Sequence, residues 1–423
     1  MSETPDSVGR SLSWTLLGEL SFAAAQWLAL IVVAKLGSPE ALGRYSLGLA
    51  VATPIIILAN LHLRPIYVVD TRARWGFADY LGLRAIMLPL ALGVTAGVCL
   101  IRGWPWQVAA VVCLLGVIRV AGSVSDILYG RAQRAQKMDT IGISRAVQGG
   151  LWIGLLALGL VLGDEVLALG MVAAGLTLHM LFYDRRRAAQ VQVADDPLAS
   201  GRSLRPRFDR VRLRGLAWEA LPMGVAAGLL GLTGNVPTYV LEDTHGLEAA
   251  GFFAAVLSVI QASGVVNVAL GNAAIPKLAR LSVDDARGFW VLLVKLLGLV
   301  VVLNGVGVVI VALIGDAYLR YAYTPEYAVY LPELVVASIT AVVLGLANML
   351  SQTLTALSRF RLQLWLNLAA LGCSVGVGLW LIPTRGIAGA IQTLLVLAGF
   401  RLVLYLTANI AVGPRAARGA GSD

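Results

Sequence analysis

Eight ionisable residues fall within or close to long apolar runs of this sequence: Glu19, Arg84, Arg119, Asp126, Arg145, Glu219, Lys295 and Arg401. A charge at the centre of a bilayer costs at least about 2.5 kcal/mol, so residues of this kind face a protein interior or a wet pathway. Glu19, Arg119 and Arg401 lie deepest in their runs. Two readings are open for all eight: internal pairing, with snorkelling for those near run ends, or the lining of a polar path. Arg119 and Asp126 stand at i and i+7 on one helix face, too far apart for a direct pair but able to share a polar network.

Polar residues fall into stripes at helical spacing. Thr15, Glu19 and Gln26 form one; Asn235, Thr238 and Glu242 form a second, with Pro237 removing a backbone hydrogen bond beside it. Asn348, Gln352 and Thr355 repeat the pattern, and Ser258, Gln261, Asn267 and Asn272 share another run. Stripes on equivalent runs suggest a shared central cavity. No motif for covalent chemistry accompanies them: there is no G-x-S-x-G, no Walker loop and no H-E-x-x-H. Without a nucleotide site, any transport must be powered from elsewhere. His62, His179 and His245 are isolated, so no metal or other cofactor is expected. Cys99, Cys113 and Cys373 all fall in apolar runs and imply no disulfide framework.

The elements that must carry these residues are helices. Of the 423 residues 58% are hydrophobic and 13% are charged, against about 45–50% and about 25% in soluble domains. Mean hydropathy is +0.80 and the apolar residues are spread along the whole chain, which excludes a soluble enzyme, a disordered chain and a single-anchor protein. Twelve spans are expected, near 14–36, 44–63, 81–101, 105–128, 141–162, 166–183, 216–240, 249–273, 289–314, 331–353, 362–382 and 386–411. The fold class is therefore an all-α polytopic membrane protein. The first apolar run is long and lacks a small-residue cleavage site, so it reads as a retained helix. The Arg-rich segment 184–215, with Pro197 and Pro206, reads as a linker between lobes 1–183 and 216–411, and 412–423 as a tail.

Net charge is +9, which in this setting bears on orientation and not on nucleic acid. With the N-terminus inside, 23 of the 33 Lys and Arg fall on the cytoplasmic side, nine of them between Arg185 and Arg214. Five, namely Lys35, Arg44, Arg102, Arg320 and Arg385, fall opposite. This asymmetry places both termini in the cytoplasm, as an even number of spans requires. Trp14, Trp75, Trp104, Trp106, Trp218 and Trp290 near span ends read as interfacial anchors.

The two halves also resemble each other. LGSPEALGRYSLGLAV from Leu36 and THGLEAAGFFAAVLSV from Thr244 match at a constant offset of 208: Glu40 with Glu248, Ala41 with Ala249, Gly43 with Gly251, Tyr45 with Phe253. Six spans plus six in the same orientation make a parallel repeat, a construction common in transporters.

On these residues the chain resembles a known family. LGSPEALGRYSLGLAVATPI is similar to the first inter-span signature of the polysaccharide-export (O-antigen-type) flippases of the multidrug/oligosaccharidyl-lipid/polysaccharide superfamily. YGRAQRAQKMDTIGISR from Tyr129 resembles their basic loop after the fourth span, and the segment from Ala220 the opening of their second half. AIPKLARL, TPEYAVYLPEL and LIPTRGIAGA, from Ala274, Thr324 and Leu381, resemble later landmarks. The resemblance runs over about residues 10–410. Pro39 stands one place later than the usual proline, Leu42 replaces an aromatic, and Thr238 stands where a basic residue is common.

The resemblance implies two six-helix lobes, the MATE-like fold, around a cavity with alternating openings. It implies a polyprenyl-pyrophosphate-linked oligosaccharide as cargo, the bacterial inner membrane as location, and other polysaccharide-assembly proteins as partners. Such a cargo needs cations for its pyrophosphate and amides or hydroxyls for its sugars. Gln26, Arg119, Asn235, Lys295 and Arg401 are the expected cavity residues, and Glu19 the candidate for proton or sodium coupling. Two alternatives stay open: a cation-coupled drug extruder of the same superfamily, with a carboxylate-lined cavity, and a membrane-embedded glycan polymerase or ligase, which needs a large outer loop. The orientation is checked by C-terminal fusions. A fluorescent protein that needs the cytoplasm should light up, and alkaline phosphatase, which needs the opposite side, should stay inactive.

Overall fold

The computed structural model describes residues 5–70, 74–191 and 204–414, without the side chains of 5–13, 15 and 16. The side chains of Arg10 and Thr15 are thus not described, and Arg72, Arg202, Arg415 and Arg418, the middle of segment 184–215 and the end of the tail lie outside the described residues. In hydrocarbon every backbone N–H and C=O must be satisfied within the protein, and a helix does this within one segment. The described chain is helical accordingly, and no strand occurs among the described residues.

The helices are α1 (Pro5–Leu36), α2 (Pro39–Asn60), α3 (Leu63–Val69), α4 (Phe77–Arg102), α5 (Trp106–Arg134), α6 (Met138–Leu162), α7 (Glu165–His179), α8 (Arg185–Gln190), α9 (Arg210–Asp284), α10 (Ala286–Ala322), α11 (Leu331–Ala356) and α12 (Phe360–Val412). A π-helical turn, Met180–Asp184, joins α7 to α8, and a short 3-10 turn, Pro325–Tyr330, precedes α11. Among the described residues, ten helical stretches are long and apolar enough to cross a membrane. Two of them hold two crossings each. α9 has 75 residues, or about 110 Å, against a hydrocarbon core of about 30 Å. It turns at Gly246, whose φ of 82° and ψ of −177° no residue with a Cβ adopts readily. α12 turns in the same way at Gly386, φ 57° and ψ −129°. The expected pairs 216–240 with 249–273, and 362–382 with 386–411, fall on either side of these turns.

The joint at Gly246 matches Ser38 at the repeat offset, and the two positions turn the chain by different means. Ser38 caps α2, its Oγ accepting from the Ala41 N–H at 3.1 Å, and Pro39 opens the helix. Gly246 bends the backbone through a conformation open to glycine.

The chain forms two compact units, Met1–Leu232 and Thr233–Asp423. In unit 1, α1 and α6 pack through glycine. A Cβ at Gly18 would come within 2.6 Å of Gly142 Cα, and one at Gly142 within 2.4 Å of the Trp14 carbonyl oxygen. Small residues let backbones meet where lipid offers no hydrophobic drive. At the end of unit 1 that carries the basic segment, Leu61, Tyr67, Phe77, Tyr80, Ile127 and Leu128 form a core with Leu204, Leu213 and Leu216. The Arg207 N–H donates to the Ala78 carbonyl at 2.9 Å, and Gly82 leaves room for that irregular segment. Arg212 grips the buried Asp79 at 2.7 Å, and Arg131 donates to the Val191 carbonyl at 2.8 Å. The described ends of the basic segment are thus packed parts of unit 1.

In unit 2, α10, α11 and α12 enclose Phe289, Leu293, Val300, Leu350, Leu354 and Tyr405. A chain of rings, Tyr318, Tyr323, Tyr327 and Phe252, holds the 3-10 turn. The glycine contact in unit 1 has a direct test. Gly142→Leu should lower the melting temperature in detergent by several degrees, in line with an overpacking cost of about 1–3 kcal/mol. Gly150→Leu, at an exposed position with no atom within 4 Å of the added Cβ, should leave it unchanged.

Candidate functional site

Five helices of unit 1 enclose a cavity of about 220 Å³. α1 contributes Phe22, α2 Asn60, α5 Arg119 and Asp126, and α6 Arg145, Gln148 and Trp152. Its walls carry two guanidinium groups and one carboxylate. The Arg119 guanidinium lies 5.8 Å from the Trp152 ring centre, and its buried Nε has no hydrogen-bond partner among the described residues. Arg145 sits over Phe22 at 4.7 Å and Tyr129 at 5.4 Å, and its Nε is 3.4 Å from Glu19 Oε1. Aromatic faces offset part of the cost of desolvating a cation without removing its charge.

Asp126 is already engaged. Its Oδ1 accepts from Arg64 Nη1 at 3.0 Å, and its Oδ2 is 3.7 Å from Arg84 Nη2. Arg84 is 1% exposed and also donates to Asn60 Oδ1. Four guanidinium groups, of Arg64, Arg84, Arg119 and Arg145, thus stand with two carboxylates, Asp126 and Glu19, in and around this cavity, and a third carboxylate, Asp184, lies behind its wall. The balance is cationic, and a partly unsatisfied cationic surface in a low-dielectric interior attracts an anion strongly.

A second polar layer stands behind the wall. Gln148 donates to Tyr129 Oη at 2.9 Å and to Asp184 Oδ2 at 3.2 Å. Ser125 and Ser144 donate to the same carboxylate at 2.6 and 2.5 Å. His179 Nε2 lies 3.0 Å from Ser144 Oγ and 3.6 Å from Asp184 Oδ1. The π-helical turn carries Asp184 to this buried place. The network fixes the Gln148 amide and the ends of α5, α6 and α7.

The six residues expected from the sequence are distributed as follows. Arg119 lines the cavity. Glu19, half-exposed on α1, meets the cavity's Arg145. Gln26 is half-buried on α1, beyond the residues that line it. Asn235 is half-buried on the unit 2 part of α9. Lys295 is exposed on α10, flanked by the exposed Val291, Val294 and Leu299, and lines no described cavity. Arg401 is buried between helices of unit 2, where Nη2 donates to Asn348 Oδ1 at 3.1 Å and the guanidinium lies over Tyr405. Tyr405 in turn donates to Asn367 at 2.7 Å, so Arg401 ties α11 to α12.

Asn60, Gln148, Trp152 and Asp184 are not foreseen as site residues. Asn60 and Gln148 carried a signal as amides within apolar runs. Asp184 carried none, because three arginines follow it and make it read as a solvated flank. Asn267 was visible as a polar residue of its run. It pairs with Asn304, whose Nδ2 donates to it at 3.1 Å, and Ser263 joins them.

No protein-family model matches the chain. It is similar to a capsular polysaccharide biosynthesis protein, CapF, of Staphylococcus aureus, at 20% identity over 400 residues, spanning 94% of this chain and 98% of that one. Among solved structures it is similar to the inward-facing conformation of a multidrug resistance MATE family transporter of the MOP superfamily. The TM-score is 0.65 at 13% identity, over 94% of this chain and 93% of that one. The eukaryotic MATE transporter AtDTX14 gives the same score and identity, over 96% of each chain. The chain is thus a multi-pass membrane protein with the MATE-type fold.

The tie between Asp126 and Arg84 is testable. Asp126→Ala should destabilise the protein by roughly 2–3 kcal/mol, because a nearly inaccessible guanidinium loses its counter-charge. Adding Arg84→Met should recover most of that loss in thermal unfolding.

Proposed function

We propose that this protein is a flippase that moves polyprenyl-pyrophosphate-linked oligosaccharide units across the bacterial inner membrane by alternating access, supplying cell-surface polysaccharide synthesis. The observation that carries the reading is the sign of the charge in the unit 1 cavity. Arg119 and Arg145 line it, and its single carboxylate is held by Arg64 and Arg84. A pyrophosphate is the part of such a cargo that demands this environment. Gln148, Asn60 and Thr53 line the same cavity and suit a hydroxyl-rich head group. The likeness to a capsular polysaccharide biosynthesis protein over nearly the whole of both chains supports the same class of cargo.

Glu19, the carboxylate that meets Arg145, is the candidate site of proton or sodium coupling. Its protonation would release Arg145 to the anion. On this reading the protein is a transporter and not an enzyme, and its partners are the lipid-linked glycan and the proteins that extend it.

The second reading is a drug extruder, favoured by the likeness to a multidrug resistance MATE family transporter. It requires a cavity that prefers cations, and the groups in and around this one favour anions. A strain whose polysaccharide export depends on this protein separates the two. Arg119→Ala should cut surface polymer at least tenfold and leave lipid-linked units on the cytoplasmic face, with normal protein levels in the membrane. Export at the parental level in Arg119→Ala and in Arg145→Ala would overturn the assignment, and cation-drug resistance conferred by the unaltered protein would favour the extruder.

A further inference from the structure

A second cavity, of about 420 Å³, lies at the basic end of unit 1, away from the site described above. Three arginines line it: Arg185 and Arg186 on α8 and Arg205 on the irregular segment that precedes α9. Its other walls are Leu181 and Phe182 of the π-helical turn, and Leu204. Leu181 and Phe182 are exposed, at 40% and 57%, at the end of an apolar span. The Arg186 guanidinium lies 5.6 Å from the Phe182 ring centre, so that ring and charge share one surface.

The backbone explains how a cationic pocket forms there. The residue before Arg185 is acidic, and in a plain juxtamembrane stretch it would neutralise its neighbours. The π-helical turn sends Asp184 inward instead, where it is 3% exposed and engaged by Ser125, Ser144 and Gln148. Single π-turns in α-helices often mark functional positions. Among the described residues, no carboxylate lines the cavity. Arg185, Arg186 and Arg205 are left exposed together beside the end of an apolar span. The segment is held in place from both sides, by the buried Leu204 and by the backbone bond from Arg207 to Ala78.

We propose that this pocket binds the head group of an anionic phospholipid, with the phosphodiester on Arg185, Arg186 and Arg205 and the first acyl segments against Leu181 and Phe182. The volume lies within the range of small-ligand sites, about 300–1,000 Å³. The union of an exposed apolar floor with a triple-arginine rim matches a molecule that is half hydrocarbon and half anion, and a soluble phosphate has no use for the floor. Basic pockets of this kind between membrane helices recognise anionic head groups, and each arginine near a membrane surface adds about fivefold to partitioning onto anionic lipid.

The test uses the full chain in detergent micelles, with native mass spectrometry counting bound lipid on addition of phosphatidylglycerol or phosphatidylcholine. Phosphatidylglycerol should bind in preference, and the Arg185→Gln/Arg186→Gln/Arg205→Gln variant should lose at least tenfold in apparent affinity for the tightest-bound lipid. Phe182→Ala should weaken binding about threefold with every arginine in place. Arg359→Gln/Arg361→Gln, which removes charge from a basic turn of unit 2, should leave the tightest site intact. Equal loss in that control would reduce the effect to general charge attraction and overturn the proposal. Displacement of the lipid by millimolar inorganic phosphate would show a plain anion site, and displacement by undecaprenyl pyrophosphate at equal concentration would show a cargo site; either would overturn it. An unfolded triple variant is recognised by its melting curve, and Phe182→Ala then decides the question alone.

Discussion

Asp126 is the counter-charge on which the interior of unit 1 depends. Arg84 is almost wholly buried, and a guanidinium in such a place has to be matched by an anion and by hydrogen-bond acceptors. Asp126 supplies the anion, 3.7 Å from Arg84 Nη2, and Asn60 one acceptor, from two other helices; Nε and Nη2 of Arg84 have no hydrogen-bond partner among the described residues, and Arg64 adds a second hold on the same carboxylate. Once α2, α4 and α5 are joined in this way, Arg119 is left without a carboxylate of its own among the described residues. It rests on Trp152 with its Nε unsatisfied, on the wall of a cavity. The cationic character of that cavity therefore follows from the pairing around it: one carboxylate serves two arginines, and the remaining guanidinium groups face the space.

The same economy of polar partners shapes the layer behind the wall. Asp184 is brought inward by the π-helical turn and takes up the donors of Ser125, Ser144 and Gln148. Two consequences follow from one turn of backbone. The ends of three helices are locked around a buried carboxylate, and the arginines that follow it are left on the surface without their neighbouring acid. Close backbone approach makes both layers possible. Gly18 and Gly142 let α1 lie against α6, which brings Glu19 to Arg145.

Much of this was legible in the chain itself. The number of crossings and the polar residues worth following could all be read from it, because a bilayer imposes a minimum apolar length and a heavy cost on each charge. Ser38 with Pro39, and Gly246, mark the matching joints of the two halves. Asp126 was visible, and its spacing from Arg119 suggested a shared network. Both residues line the cavity, but Asp126 is bonded to Arg64 and Arg84, whose helices approach it from elsewhere in the fold, and no bond joins it to Arg119 among the described residues. Lys295 and Arg401 looked alike in sequence, as single cations in apolar runs. One is exposed on α10 and the other is enclosed by Asn348 and Tyr405.

The difference between these two levels has a physical basis. Hydropathy and helical period are local properties, so composition and spacing determined an all-helical, multi-pass chain with a few polar side chains that had to be accommodated. Pairing is a property of side chains on different helices, and depends on where glycines allow contact and where a π-turn changes the phase. Only the tertiary structure decided that Asp126 belongs to Arg64 and Arg84, that Asp184 turns inward, and that Arg119 and Arg145 remain to face a cavity.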